Sequence, residues 1–164
     1  VWSSPSAPVQ YAAIIAYEDN PTIRDYIETC TRLHALRTRF LWQALAALGI
    51  PAARPDGAFY VFVHFDHLRS ALARRGVTTA DELATYLLER YHLATLPGSA
   101  FGAEAGHLAL RLSSSYLDME TAERAQALLA ASRLVSEEEW LSPAHHPATH
   151  AALERFRCFV EEVR

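Results

Sequence analysis

The sequence contains no lysine, because all 15 of its Lys and Arg positions are arginine. No side-chain amine is therefore present to hold a carbonyl compound as an imine or to shuttle its proton. Cysteine is scarce: Cys30 and Cys158 lie far apart, without metal-type spacing. Each falls in an apolar helical pattern, so both are expected as small buried hydrophobes in a reducing, cytoplasmic compartment. No apolar run reaches the length of a membrane span, and the first residues lack the basic-then-apolar order of a signal peptide. The chain begins at Val1 rather than Met, as expected of a processed protein or a piece of a longer one. Excess positive charge is also missing. A formal charge of -4, with the arginines scattered, gives no electrostatic reason to expect nucleic acid as a partner.

What is present is apolar character. Hydrophobic residues make up 51% of the 164, enough for one domain with a sizeable core. The most informative stretch is His92 to Tyr116, which reads as a strand from His92 to Leu96, a Gly-rich loop, and a second strand from Leu108 to Ser113. Alternation puts Leu108, Leu110 and Leu112 on one face of the second strand and Ala109, Arg111 and Ser113 on the other. By residue type alone Arg111 either snorkels to water or pairs with a carboxylate, or offers a rigid fork for two-pronged carboxylate binding. Gly98, Gly102 and Gly106 fit neither G-x-G-x-x-G nor a P-loop, which leaves a turn that lets backbone approach a ligand.

The remaining elements follow from caps and periodicity. Val9 to Tyr17 is apolar enough for a short buried helix, preceded by an extended Val1 to Pro8. Asn20-Pro21 starts and Gly49 stops a helix on the order of 40 Å long. Ala58 to Phe65 is apolar on both faces and reads as a covered, central strand, with His64 as a strand-end histidine. His67 to Arg75 makes a short helix. Thr79 and Glu82 form a capping box for a helix that faces Leu83, Leu87 and Tyr91 inward. Asp118 is the expected N-cap of a helix from Met119 to about Leu134, with Ala122, Ala125, Leu129 and Leu134 buried. Ser136 and Glu139 form a second capping box, and Leu153, Phe156, Val160 and Val163 mark an amphipathic terminal helix from Pro147. His145, His146 and His150 are expected as a solvated helix start rather than a metal site. The sum is an α/β two-layer sandwich, a sheet of about three strands covered by helices including one long N-terminal helix.

Pro97-Gly98-Ser99-Ala100-Phe101-Gly102, followed by Leu110-Arg111-Leu112-Ser113, resembles the closing signature of class I/II, fold type I, pyridoxal-phosphate aminotransferases. Pro55-Asp56-Gly57-Ala58-Phe59-Tyr60-Val61-Phe62 is similar to the strand preceding that signature. Ser6-Ala7-Pro8-Val9-Gln10-Tyr11-Ala12-Ala13 resembles the segment after the cofactor-lysine region. The resemblance runs from about Ser3 to Leu134 and implies the C-terminal small domain of such an enzyme. It divides the chain into a remnant of the large-domain connection (1–18), the small domain (19–135) and a helical C-terminal extension (136–164). It implies that Arg111 grips the substrate α-carboxylate and that Gly57, Phe59, Tyr60, Gly98, Ser99 and Phe101 line the active site without taking a chemical step. Pyridoxal 5'-phosphate, an amino acid and a 2-oxo acid, a large domain supplied elsewhere, and a homodimer are the implied cofactor and partners. The departure is the missing lysine: this chain cannot attach that cofactor, and the fragment is expected to be inactive by itself. A non-catalytic anion-binding or assembly module, and a lyase or decarboxylase of the same fold, are the alternatives.

Overall fold

A computed structural model describes residues 5–104 and 106–164; the extended course expected for 1–4 lies outside them. The chain divides after Leu33 into two units. The first contains α1 (Ala7–Tyr17) and the start of α2 (Pro21–Ala47). Ala7 and Pro8 are helical rather than extended, because a proline in the first turn loses no hydrogen bond. The apolar residues of α1, including Val9, Tyr11, Ile14 and Ile15, are exposed, so it is not the buried helix that composition predicts. Asn20 caps α2 as expected, its Oδ1 accepting the Thr22 N–H at 3.0 Å.

In the second unit α2 buries Leu36, Leu41 and Leu45 and ends in a Schellman motif. The Ile50 N–H reaches the Leu45 carbonyl at 3.1 Å, and the Gly49 N–H reaches Ala46 at 2.9 Å. Gly49 has φ 79°, a conformation that a side chain would strain. The sheet comprises β1 (Tyr60–His64), β2 (Leu96–Pro97) and β3 (Ala109–Ser113), antiparallel in the order β1-β3-β2. The Arg111 strand is therefore central and β1 is an edge, the reverse of the expectation for β1. Its apolar outer face is explained locally: Phe62 and His64 pack their rings edge-on at 5.6 Å, and an isolated bridge from Ala52 to Val63 partly covers the edge. β2 is shorter than the strand expected from His92. His92 takes a left-handed conformation that ends α4 (Ala80–Tyr91), and Pro97, which lacks an N–H, is tolerated in the ladder because β2 is an edge.

Val61, Val63, Leu108, Leu110 and Leu112 meet Leu83, Leu87 and Tyr91 of α4 in one core. Thr79 and Glu82 complete the capping box that starts α4. After β1, a 3-10 turn (Asp66–Leu68) and α3 (Arg69–Ala73) lead to Gly76. The closing helix differs most from expectation. The segment after Arg111 forms only α5 (Ala122–Ala131), capped by Thr121 rather than Asp118; it buries Leu128, whereas Leu134 is 82% exposed. The core is closed instead by α7 (Pro147–Val163), which buries Phe156, Phe159, Val160 and Val163. Two phenylalanines cover more apolar surface than the alanines of α5, so α7 takes the inner place. Cys158 lies off that buried stripe and is exposed, and Cys30 is half-buried, so neither is the buried hydrophobe expected.

Asp118 caps α7, which starts 29 residues later. Its carboxylate accepts the Ala148 N–H at 2.7 Å, the Thr149 N–H at 3.0 Å and the Thr149 hydroxyl at 2.7 Å. Between them lies α6 (Glu137–Trp140), capped by the Ser136 half of the expected box. The start of α7 is not solvated as expected. His146 is buried, its Nδ1 2.7 Å from the Trp140 carbonyl and its ring edge-on to Trp140. His150 Nε2 lies 2.8 Å from the Leu141 carbonyl. Burial, with the nearby Arg37 guanidinium, pushes His146 down to about 4. An unfolded histidine titrates near 6.5, so the folded state rejects a proton that the unfolded state accepts. Stability from this site is complete above that value and is lost as pH falls toward 4. Between pH 7 and 4.5 the loss is about 2 to 3 kcal/mol, using ~1.4 kcal/mol per pKa unit. Urea unfolding of the parent and of His146→Leu at both pH values checks this, since the variant should lose that component of the pH slope.

Candidate functional site

β3 presents Arg111 opposite Phe62 of β1 on one side and Leu96 of β2 on the other. Directly opposed residues of antiparallel strands share a face, so Arg111, Phe62 and Tyr60 project from the side away from Leu110 and Leu112. The Arg111 guanidinium carbon lies 4.2 Å from the centre of the Tyr60 ring and 3.8 Å from that of Phe101. Among the described residues no carboxylate pairs with it. What stands in the site is a cation whose central carbon lies over two aromatic rings.

Two local structures hold this arrangement. The first is the 3-10 turn Gly98–Phe101, which carries Phe101 and ends at Gly102 with φ 86°. Gly98 is packed so closely that an added Cβ would lie 2.9 Å from both the Ala109 carbonyl oxygen and Phe62 Cζ. Ser99 donates its hydroxyl to Asp81 at 2.9 Å, tying the turn to the first residues of α4. Gly98→Ala is expected to cost about 1 to 3 kcal/mol, because the obstructing Ala109 oxygen belongs to the sheet backbone. A denaturant midpoint that does not move would show that the turn yields freely.

The second is the junction before β1. The Ser114 N–H bonds the Phe59 carbonyl at 2.9 Å, and the Ser114 hydroxyl lies 2.9 Å from the Thr38 hydroxyl of α2. Phe59 packs against Tyr60 at 4.6 Å and His34 at 5.3 Å. Burial, then the Arg37 charge, holds His34 below its ordinary pKa, which favours the neutral ring there.

Of the residues singled out in the sequence, the fold brings Tyr60, Phe101 and Arg111 into direct contact. Gly98 lies beneath them, and Phe59 flanks Tyr60. Ser99 turns its hydroxyl to Asp81, and Gly57 stands in open space ahead of β1. Sequence reasoning missed Thr38, Ser114 and His34, which support the Tyr60 side. Their signal was weak, since Thr38 and Ser114 are 76 residues apart and neither sits in a motif. Asp66 is a supporting carboxylate at the other end of β3. Although burial opposes its charge, the Leu108 N–H and Arg69 hold it below its ordinary value.

A model of the family "Aminotransferase class I and II" matches residues 1–129. The aspartate aminotransferase of Geobacillus stearothermophilus is 34% identical over 121 residues, covering 73% of this chain and 29% of that protein. Among solved structures, the aromatic aminotransferase from Pyrococcus horikoshii OT3 gives a TM-score of 0.63 at 23% identity, covering 94% of this chain and 31% of that one. The Thermus thermophilus aspartate aminotransferase with maleate gives 0.62 at 26% identity, covering 94% of this chain and 30% of that one. The chain thus spans about three tenths of the length of the relatives it matches. A match over most of its residues, with the small three-stranded sheet to carry them, places this chain in the class I and II aminotransferase family.

Proposed function

We propose that this chain is the small-domain portion of a pyridoxal-phosphate aminotransferase, and that Arg111 binds the α-carboxylate of the amino-acid and 2-oxo-acid substrates. The observation that carries the reading is the Arg111 guanidinium lying over the Tyr60 and Phe101 rings, with no carboxylate of the described residues against it. A permanently charged planar fork suits a planar carboxylate, which it engages through two parallel hydrogen bonds. The relative from Thermus thermophilus with maleate is a family member in the presence of a carboxylate ligand, which supports the same chemistry here.

The residues of this chain suit the substrate end of the site and not attachment of the cofactor. With no lysine in the sequence, pyridoxal phosphate has no amine here to join, and the lysine belongs to a large domain outside these residues. No chemical step is therefore assigned to a residue of this chain. Arg111 fixes the substrate by its carboxylate, and Tyr60 and Phe101 shield the contact from water, which strengthens it. The fragment alone is inactive in this reading, and the intact enzyme is a cytoplasmic homodimer. The test is amino transfer by the intact protein from aspartate or an aromatic amino acid to a 2-oxo acid, with ammonia and pyruvate followed in parallel. Amino transfer supports the reading. Release of ammonia and pyruvate would make the protein a lyase, and no turnover with retained carboxylate affinity would make it a binding module.

A further inference from the structure

We infer that Tyr60 and Phe101 act as paired positioning residues, an aromatic vise that presets the plane of the Arg111 guanidinium before a carboxylate arrives. The inference rests on the proposed role of Arg111. It goes beyond that role in assigning a function to the two rings themselves.

The first ground is geometry. The guanidinium carbon lies within 4.2 Å of one ring centre and 3.8 Å of the other, so each of two aromatic faces meets the cation. A guanidinium that stacks on aromatic rings uses its faces and keeps its edge, where all five N–H donors lie, for a ligand. A free arginine side chain must lose rotamer freedom on gripping a ligand, and a pre-stacked one has lost much of it already. The second ground is exposure. Phe101 is 45% and Tyr60 38% exposed, although both are large apolar side chains that a core could have covered. They stand at the surface where the cation is. The third is anchorage on two separate elements. Tyr60 belongs to β1, diagonal to Arg111 across the ladder, and Phe101 to the turn fixed by Gly98 and by the Ser99 bond to Asp81. The rings are thus held independently of the arginine, as a vise requires.

The vise predicts that the π face matters and that bulk alone is insufficient. In the intact enzyme, Phe101→Leu and Tyr60→Leu should each weaken maleate binding and raise KM for the amino acid by about 5- to 20-fold, the range of a partly desolvated cation–π contact. The kcat should change less than KM. Phe101→Tyr and Tyr60→Phe keep a ring and should stay within about 2-fold of the parent. The Arg111 side-chain Nε–H proton resonance should move downfield in each leucine variant, as the shielding ring is lost, whether or not stability changes. Leucine variants that bind maleate as well as the ring-retaining variants, or leave that resonance in place, would overturn the vise. Failure of the underlying reading looks different, because Arg111→Ala itself would then leave maleate binding unchanged.

Discussion

Replacing Arg111 by alanine is expected to weaken substrate binding in the intact enzyme by about 2 to 5 kcal/mol, the usual cost of removing one partner of a desolvated charge pair. At ~1.4 kcal/mol per decade this is roughly a 30-fold to few-thousand-fold rise in KM. The size follows from what the sheet offers in its place. The residues beside Arg111 on its strand face are Ala109 and Ser113, and the residues opposite it are Phe62 and Leu96, so no second cation in the sheet inherits the carboxylate. Arg111→Lys keeps the charge but loses both the two-pronged geometry and the flat surface that stacks on Tyr60 and Phe101, so only partial recovery is expected. Steady-state kinetics with aspartate and with an aromatic amino acid check this. Unchanged KM and kcat for every amino acid would remove Arg111 from the site.

The second large effect concerns the fold that holds the site. Asp118→Ala is expected to destabilise the protein by about 3 to 5 kcal/mol, above the usual range for a cap because the group is a buried charge. Asp118 is fully buried, with φ 65°, and satisfies three donors at the start of α7. It also lies 3.6 Å from Arg124 and within the field of Arg37. Arg37 is itself buried, bonded through Nη2 to the Leu117 carbonyl, and burial lowers its pKa against the pull of Asp118 and Glu120. Removing the carboxylate strands the helix donors and takes a compensating charge from the buried Arg37. Because α7 carries Phe156 and Phe159 into the core, the loss should appear as a cooperative shift of the urea midpoint at an unchanged slope. Asp118→Asn keeps an acceptor and should lose less. A shift under about 1 kcal/mol for Asp118→Ala would show that α7 is held by its apolar face alone.

The contrast between Asp118 and Arg111 shows which features were legible in the sequence. Local rules worked where cause and effect lie within one turn: the Asn20 cap, the Gly49 stop, the Thr79 and Glu82 box, and the alternation that buries Leu108, Leu110 and Leu112. Asp118 is a capping residue by type and position, but the helix it serves begins at Pro147. Spacing carries no information about such a partner. The same limit made α5 look like the closing helix, since an alanine-rich amphipathic stretch after β3 fits the local pattern, while competition from α7 is a tertiary effect. His146 followed suit: a histidine beside a helix-starting proline reads as solvated until the Trp140 ring is placed against it. For the candidate site, the motif singles out Tyr60, Phe101 and Arg111, which the fold brings into contact. Their stacking depends on the register of β1 on β3 and on the close seat of Gly98, and neither is written in any single segment.

The proposed role makes these residues the carboxylate-gripping part of a larger pyridoxal-phosphate enzyme. The most direct test is the denatured mass of the polypeptide that carries this sequence in its native source, taken together with its visible absorption. The expected result is a chain more than twice as long, coloured yellow by a lysine-bound cofactor whose spectrum shifts on adding an amino acid. A single colourless species of 18.3 kDa, with no companion chain bearing a lysine, would contradict it.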